Sequence, residues 1–332
     1  MQNGVLAASL RVVAVASGTA VLTYLLARLQ ASKGLLAPDI HKPWRPLIPR
    51  IGGVSLLCVV LGYAIYSAAI GSLKLLTHLL AIVLSGFLGL YDDFRGLGPI
   101  KKLFIFMAPA ILVVLGGSYF PNPYVPLVGN LRLTIIYPLS VAGLYTVLAN
   151  GINMADTHNG TAPLVALITT VAIGVGVLMR GPKPVEGFNA FYLLVLPMLL
   201  AYTPFNMYPA KLFNGNCGSH LMGAMIASLI VLSRREFLAL MVLTPLFLNG
   251  FSILASIRGL RSKESIERPV IIDKGSWTLR ASPNPKAPIT LVQLMVIKTP
   301  LREKEVILSY ITLYTAVALI SLLTYYLLTL PP

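Results

Sequence analysis

Charged residues are scarce in this chain, and acidic residues are the scarcest of them. Only 11% of the 332 residues are charged, whereas 56% are hydrophobic, and the mean hydropathy is +0.80. A soluble globular domain is excluded, because so few charges cannot balance so much apolar surface. The two cysteines, Cys58 and Cys217, form no disulfide framework and no metal-ligand spacing. Neither disulfides nor structural zinc are therefore indicated.

In place of charge, the chain has ten apolar runs that approach or reach the roughly 20 residues a helix needs to cross a bilayer. The runs lack the two-residue alternation of membrane β-strands. The first has no basic lead-in and no small-residue cleavage site, so it is predicted to be a retained helix rather than a signal peptide. We predict one all-α polytopic membrane domain over residues 1–332, with about ten transmembrane helices near residues 5–29, 51–71, 75–91, 103–118, 132–149, 161–179, 190–205, 218–232, 237–256 and 306–328.

Basic residues are concentrated in one of the two sets of loops that these helices define. Most of the 26 lysines and arginines lie in residues 33–50, 95–102 and 257–305. Such an excess is typical of cytoplasmic loops, so both termini are predicted outside, and the net charge of +15 does not indicate nucleic acid binding. Nine of the 11 acidic residues lie on the same side, which favours a site for a metal ion and an anionic substrate; ordinary solvated loops would explain part of this pattern.

The segment GLYDDFRGLGPIKK, residues 89–102, joins the third and fourth runs. Asp92 and Asp93 stand at the cytoplasmic end of the third predicted helix, and Lys101 and Lys102 begin the fourth. Adjacent carboxylates at a membrane boundary repel each other, so a positive partner is expected: Mg²⁺, a substrate-bound cation or the lysines. A helix end that faces water would explain the pair equally well.

A second polar segment, NGINMADTHNG at residues 150–160, continues an apolar run. Its oxygen-bearing side chains recur every third residue, which predicts that they lie broadly on one side of a helical or 3₁₀ turn. They are expensive in lipid and should face a wet cavity or each other, and Mg²⁺ prefers such oxygen ligands. A ladder that joins helices is the alternative. The four residues are Asn150, Asn153, Asp156 and Asn159.

Two further segments complete the polar set. FNGNCGS, residues 213–219, places small residues at the start of the eighth predicted helix, where backbone amides favour an anion; a tight interhelical turn is the alternative. The long predicted cytoplasmic loop 257–305 carries Arg258, Arg261, Lys263 and Arg268, which can clamp phosphates or simply be solvated or touch anionic lipid. A small β-hairpin is predicted in it, with a turn near 273–275.

Taken in order, the four segments resemble the polyprenyl-phosphate N-acetylhexosamine-1-phosphate transferase family. The resemblance covers nearly the whole chain, from RPLIPRIGG through APITLVQLMVIKTPLREKEVIL. The latter segment looks more like the eukaryotic and archaeal branch that uses dolichyl phosphate. The short loops favour an archaeal source. The resemblance implies a multi-pass protein whose active site faces the cytoplasm.

The resemblance also implies roles for individual residues. Asp92, Asp93 and Lys102 match the family's catalytic aspartate pair and phosphate-contacting lysine. Asn153 and Asn216 fall at the positions of its two protein ligands to Mg²⁺, with Mn²⁺ as an alternative ion. Asn150 and Asn159 are implied to hold the nucleotide, and Arg261 and Arg268 stand where the family binds the pyrophosphate.

The chain departs from the family's pattern at four places. Asn216 replaces the metal-binding aspartate, Thr157 replaces a glycine, Arg50 replaces a glutamate of the eukaryotic branch, and residues 257–270 lack the Arg/His motif. An uncharged Asn216 is expected to weaken metal affinity by about 1–3 kcal/mol, on the scale of a hydrogen bond to a charged group. The anionic oxygens of a UDP-sugar would recover part of this loss.

The resulting hypothesis is transfer of N-acetylglucosamine 1-phosphate from UDP-GlcNAc to dolichyl or another polyprenyl phosphate, with release of UMP, as the first step of lipid-linked glycan assembly in protein glycosylation. Two alternatives remain at this level. One is a catalytically impaired paralogue that binds the lipid or nucleotide sugar, or partners an active enzyme. The other is a transporter of anionic substrates, which the absence of internal repeats disfavours. A homodimer is left open.

Overall fold

The computed structural model describes residues 2–261 and 265–330, and in this part the chain is mainly helical. Three short two-stranded antiparallel sheets lie between the helices. The helices are α1 (Gln2–Ser32), α2 (Gly53–Ala69), α3 (Leu73–Arg95), α4 (Pro99–Ile105), α5 (Ala108–Leu115), α6 (Ile136–Ala155), α7 (Thr161–Leu178), α8 (Phe188–Asn206), α9 (Gly215–Ser233), α10 (Glu236–Val242), α11 (Thr244–Ser256), α12 (Leu291–Met295) and α13 (Glu303–Leu328). The strands are β1 (Leu36–Pro38), β2 (Leu47–Pro49), β3 (Tyr124–Val125), β4 (Gly129–Asn130), β5 (Val270–Asp273) and β6 (Thr278–Ala281).

The predicted all-α membrane architecture is confirmed in its coarse form. Within the two described ranges, six helices are long and apolar enough to cross a bilayer, or seven if the bent pair α10 and α11 is one span. Helix α2 is apolar but shorter, and the fourth predicted run is divided between α4 and α5. Pro109, near the start of α5, cannot donate a hydrogen bond to the preceding turn, which favours a break there. The number of ten spans stays a prediction.

The hairpin predicted in the 257–305 loop is present. Strand β5 pairs with β6 in antiparallel register, from Val270 opposite Ala281 to Asp273 opposite Thr278. The Asp273 carboxylate accepts a hydrogen bond from the Gly275 amide at 2.9 Å, as is typical of an Asx turn. A β1–β2 hairpin and a β3–β4 hairpin, which the apolar pattern did not indicate, lie in the α1–α2 and α5–α6 connections.

Helix α9 lies at the centre of the bundle and is buried along almost its whole length. It packs against α2, α3, α6 and α7. Glycines allow the closest approaches: a Cβ on Gly53 would lie 2.0 Å from the Gly218 amide nitrogen, and a Cβ on Gly89 would lie 2.5 Å from the Asn216 carbonyl oxygen. Small residues at helix contacts are the means by which membrane helices pack closely. The start of α9 is therefore held at a fixed position against α2 and α3.

The contact between Gly53 and α9 gives a stability prediction. Gly53→Ala is expected to lower the apparent melting temperature, because the added methyl group meets backbone that cannot yield, and overpacking costs about 1–3 kcal/mol. Gly62→Ala is the matched control, since a Cβ at Gly62 on the same helix meets nothing within 4 Å. Thermal unfolding in detergent, followed by size-exclusion chromatography, compares the two; equal melting temperatures would contradict the packing.

Candidate functional site

Ends of three helices bring the polar segments together. Asp92 and Asp93 lie in the last turn of α3, Asn153 lies in the last turn of α6, and Asn216 lies in the first turn of α9. Because α9 runs antiparallel to α3 and α6 across this end of the bundle, residues far apart in sequence become neighbours.

Asp93 binds the first turn of α9. Its Oδ1 accepts a hydrogen bond from the Asn216 amide at 2.8 Å, and its Oδ2 accepts one from the Cys217 amide at 2.9 Å. The first amides of a helix have no partner within the helix, and a carboxylate is the favourable group to receive them. Gly215 makes this possible, since its φ is +68° and a Cβ there would lie 2.8 Å from the Asp93 carboxylate. Asp93, a residue of α3, thus caps the N-terminus of α9.

The two predicted metal ligands are in direct contact. The Asn153 Nδ2 donates to the Asn216 Oδ1 at 2.8 Å and to the Ser219 Oγ at 2.9 Å. Asp93 of α3 also accepts from the backbone amide of Asn216. The end of α3, the start of α9 and the end of α6 therefore form one connected unit. The structure therefore brings Asp93, Asn153 and Asn216 together.

Asp92 has different partners from Asp93. Its Oδ2 lies 2.5 Å from the Lys102 Nζ, and its Oδ1 accepts a hydrogen bond from the Leu97 amide at 2.6 Å. Of the positive partners expected from the sequence, Lys102 is the one that pairs with this buried carboxylate. Arg50, an exposed residue, lies within electrostatic reach of Asp93. The aspartate pair is accordingly balanced by one ammonium group, two helix amides and a nearby guanidinium group.

A cavity of about 220 Å³ lies beside this unit. Asn214 forms part of its wall: the Asn214 side chain donates to Asp156 at 2.8 Å and accepts from the Tyr202 hydroxyl at 2.8 Å. The cavity is lined by Pro38, Asp39, Ile40, His41, Asp156, Thr157, His158, Asn159, Asn206, Phe213 and Asn214. Its wall combines carboxylates, amides, imidazoles and one aromatic ring.

The predicted helical continuation through residues 150–159 is wrong in its second half. Helix α6 ends at Ala155, and the chain turns before Gly160, which has a φ of +82°. The half-buried Asn150 donates within its own helix to the Thr146 carbonyl at 2.9 Å. Asn159 is instead buried beyond the turn, where its Oδ1 accepts from the Ala210 amide at 2.9 Å. The three-residue spacing therefore distributes these side chains over different parts of the site.

The two predicted pyrophosphate-binding arginines lie at the surface. Arg261 and Arg268 are both exposed, on either side of the undescribed residues 262–264, where Lys263 also falls. Arg268 is within electrostatic reach of His41 and so stands near the cavity. Among the described residues, neither arginine forms an ion pair.

Sequence reasoning missed three buried charges beside the cavity: Asp39, Lys42 and Glu303. Lys42 pairs with both carboxylates. One signal was available, because Glu303 begins an otherwise apolar helix and Asp39 and Lys42 are three residues apart. The sequence could not show that these positions meet, since 261 residues separate Lys42 from Glu303.

Two stacked imidazoles stand in the cavity wall. The rings of His41 and His158 have centroids 4.6 Å apart and planes inclined by 12°. Burial lowers the pKa of His158 well below its usual value of 6.5, and the neighbouring His41 and Lys42 act in the same direction. Burial likewise lowers the pKa of His41, with Asp39 opposing and Lys42 and Arg268 adding to the shift. Both rings are therefore neutral at pH 7.

The lowered pKa values predict a loss of stability in acid. Below about pH 6.5 the unfolded chain takes up protons on these histidines while the folded chain does not, so the free energy of unfolding falls as the pH falls. His158→Phe preserves an aromatic ring but removes one titrating group, and it should reduce the drop in apparent melting temperature between pH 7 and pH 5.5. An unchanged drop would show that His158 is not responsible.

The side-chain oxygens at this site suit a divalent ion that binds together with a phosphate group of a substrate. Asn153 can offer its amide oxygen, and Asn216 can offer the second lone pair of an oxygen that already accepts from the Asn153 Nδ2. Mg²⁺ commonly takes one or two protein ligands together with water and substrate phosphates. Both carboxylates nearby are engaged by Lys102 and by helix amides. The described residues include one other cluster with metal-ligand spacing, Asp39, His41 and Glu303, but the Lys42 ammonium occupies its carboxylates. The amide pair therefore fits a weakly held ion.

The fold and the site define a multi-pass membrane protein with a polar site at one end of its helices. Residues 75–234 match the model of Glycosyl transferase family 4. The matched segment holds the Asp92–Asp93 pair, Lys102, the 150–160 segment and the start of α9.

Curated relatives extend the match beyond the domain. A Saccharolobus solfataricus protein with the provisional name UDP-N-acetylglucosamine–dolichyl-phosphate N-acetylglucosaminephosphotransferase is 29% identical over 209 residues, which cover 60% of this chain and 63% of the relative. A Sulfolobus acidocaldarius protein with the same provisional name is 26% identical, covering 64% and 66%. A Bacillus subtilis protein provisionally named undecaprenyl-phosphate N-acetylglucosaminyl 1-phosphate transferase is 27% identical, covering 75% and 71%. The chain thus matches slightly less than two-thirds of the two archaeal relatives.

Proposed function

We propose that this chain transfers N-acetylglucosamine 1-phosphate from UDP-N-acetylglucosamine to dolichyl phosphate or a similar polyprenyl phosphate. An oxygen of the lipid phosphate attacks the phosphorus that bears the sugar, and the bond from that phosphorus to the bridging oxygen breaks, so that UMP leaves. The product is a lipid-linked pyrophosphoryl sugar. The observation that carries the proposal is the contact of Asn153 with Asn216 beside the Asp93-bound start of α9.

The residues at the helix ends have separate roles in this reaction. Asn153 and Asn216 would hold Mg²⁺, with Mn²⁺ as an alternative. When bound, the ion neutralises charge on the diphosphate as the bond to UMP breaks. Lys102 can exchange its contact with Asp92 for a phosphate oxygen. Asp93 keeps the start of α9 in place.

The nucleotide and the phosphates have further candidate partners. Asn159 lines the cavity and is suited to contact the nucleotide, whereas Asn150 needs to give up its contact with Thr146 to do so. Arg261 and Arg268 are exposed and near this end of the bundle, so they are available to approach the diphosphate. The lipid phosphate is already anionic at neutral pH, so the reaction needs no general base.

The arrangement in the membrane follows from the charges. The site and the loops rich in lysine and arginine lie at the same end of the helices, so we place the site on the cytoplasmic face and both termini outside. The polyprenyl chain then stays in the bilayer while its phosphate reaches the site. A cell membrane is the location for a prokaryotic chain.

Asn216 does not by itself favour an inactive paralogue. Its side-chain oxygen contacts Asn153 inside the site, and the named relatives give that alternative no support. An uncharged ligand is compatible with an ion held mainly by the substrate's own phosphates.

Turnover by the purified protein tests the proposal. The protein in liposomes that contain dolichyl phosphate is given UDP-GlcNAc labelled in the sugar, with Mg²⁺ or with EDTA. The proposal expects label in the lipid fraction and an equal amount of UMP, both dependent on the divalent ion. Binding of UDP-GlcNAc without release of UMP would overturn it in favour of a binding protein.

A further inference from the structure

Lys42 lies at the centre of a buried cluster that joins segments distant in sequence. The Lys42 side chain is 1% exposed. Its Nζ donates to Asp39, to the Asn159 Oδ1 at 2.7 Å and to the Glu303 Oε2 at 2.9 Å. The β1–β2 connection, the turn after α6 and the first turn of α13 therefore meet at one ammonium group.

The cluster uses the hydrogen-bonding capacity of Lys42 in full. A lysine ammonium has three hydrogens to donate, and Lys42 has three acceptors. The Lys42 Nζ also lies 4.8 Å from the centroid of the Tyr208 ring. A buried charge persists only when it is paired and hydrogen-bonded in this way. Lys42 is thus held in a single position and has no hydrogen left to give to a ligand.

This position determines how Asn159 faces the cavity. The Asn159 Oδ1 accepts from both the Lys42 ammonium and the Ala210 amide, so both of its lone pairs are in use. The Asn159 amide group cannot turn over without losing both bonds. Asp39 and His41, on the same connection as Lys42, line the same cavity, whereas Lys42 itself does not.

We propose that Lys42 is a positioning residue for the nucleotide of the UDP-sugar. It does not touch the substrate; it orients Asn159 and Asp39, which form the cavity wall that the nucleotide contacts. This role rests on the proposed function, because that function supplies the nucleotide. Lys42 accordingly affects the affinity for UDP and UDP-GlcNAc more than the rate of the chemical step.

The first test is Lys42→Met, which keeps the length of the side chain and removes its charge. The KM for UDP-GlcNAc and the Kd for UDP, measured by calorimetric titration, should rise by about 10–100-fold, the range found when a residue that orients a ligating group is lost. The change in kcat should be smaller. Lys33→Met, at an exposed lysine on the same side, is the matched control and should leave both constants unchanged.

A second variant separates positioning from stability. Lys42→Met leaves the carboxylates of Asp39 and Glu303 facing each other, so it lowers the melting temperature; Lys42→Met/Glu303→Gln removes one of the two charges and should recover part of that loss. If Lys42 positions the cavity wall, the Kd for UDP stays as high in the double variant as in Lys42→Met, although the melting temperature recovers in part. A Kd that returns to the wild-type value together with the melting temperature would overturn the proposal. Because UDP binding is measured without turnover, an inactive wild-type protein would refute the proposed reaction and still leave this test decisive.

Discussion

Replacement of Asp93 by asparagine is expected to lower the rate of lipid-linked sugar formation by about 10–150-fold. The carboxylate receives two amide hydrogen bonds from the start of α9, one on each oxygen. An asparagine keeps one acceptor and turns an NH₂ group toward the second amide, which costs about 1.5–3 kcal/mol on the scale of hydrogen bonds to charged groups. The start of α9 then loses its fixed position, and Asn216 with it.

The assay compares initial rates of label transfer in liposomes at saturating UDP-GlcNAc and Mg²⁺. Asp273→Asn is the matched control, because Asp273 is a carboxylate on the β5–β6 hairpin and its partners include Arg280 and turn amides of that hairpin. A rate for Asp93→Asn within twofold of the wild type would show that the α9 contact is not needed.

Asn153→Ala is expected to lower turnover by more than about 100-fold, because removal of a metal ligand should exceed the 10–100-fold cost of losing a residue that only orients one. The alanine also removes the hydrogen bonds from the Asn153 side chain to Asn216 and Ser219, so the Asn216 side chain is no longer held in place by α6. The loss should not be reversed by high Mg²⁺.

Asn189→Ala is the control for this substitution, since Asn189 is exposed at the first turn of α8, at the opposite end of the bundle. Its rate should equal that of the wild type. Retention of most activity in Asn153→Ala would remove the amide pair from the mechanism.

The amino-acid sequence predicts the helical membrane fold well because long apolar runs leave few other structures. Helix breaks are less visible: the fourth run reads as continuous, yet α4 ends at Ile105 and α5 begins at Ala108, with Pro109 in its first turn. The short apolar α2 shows a similar limit, since hydropathy does not fix whether a helix of its length spans the bilayer.

The site was predictable where a motif supplies both partners. The family resemblance pairs Asn153 with Asn216, and the two side chains are in contact; their role as metal ligands stays a prediction. The role of Asp93 was not foreseeable, because no sequence feature shows that a carboxylate at the end of α3 receives the amides of α9. The cluster around Lys42 was missed for the same reason: charges that are buried together through tertiary structure look in sequence like ordinary loop charges.

Mn²⁺ binding tests the central claim most directly, namely that Asn153 and Asn216 share one divalent ion with the diphosphate of the substrate. The loss of the free-ion EPR signal is measured for the wild type, Asn153→Ala and Asn216→Asp, with and without UDP-GlcNAc, and against protein-free nucleotide. We expect the wild type to bind Mn²⁺ appreciably only with UDP-GlcNAc, Asn153→Ala to lose this binding, and Asn216→Asp to bind about tenfold or more tightly, since a charged ligand adds about 1–3 kcal/mol. Equal Mn²⁺ affinities in all three proteins would contradict the account.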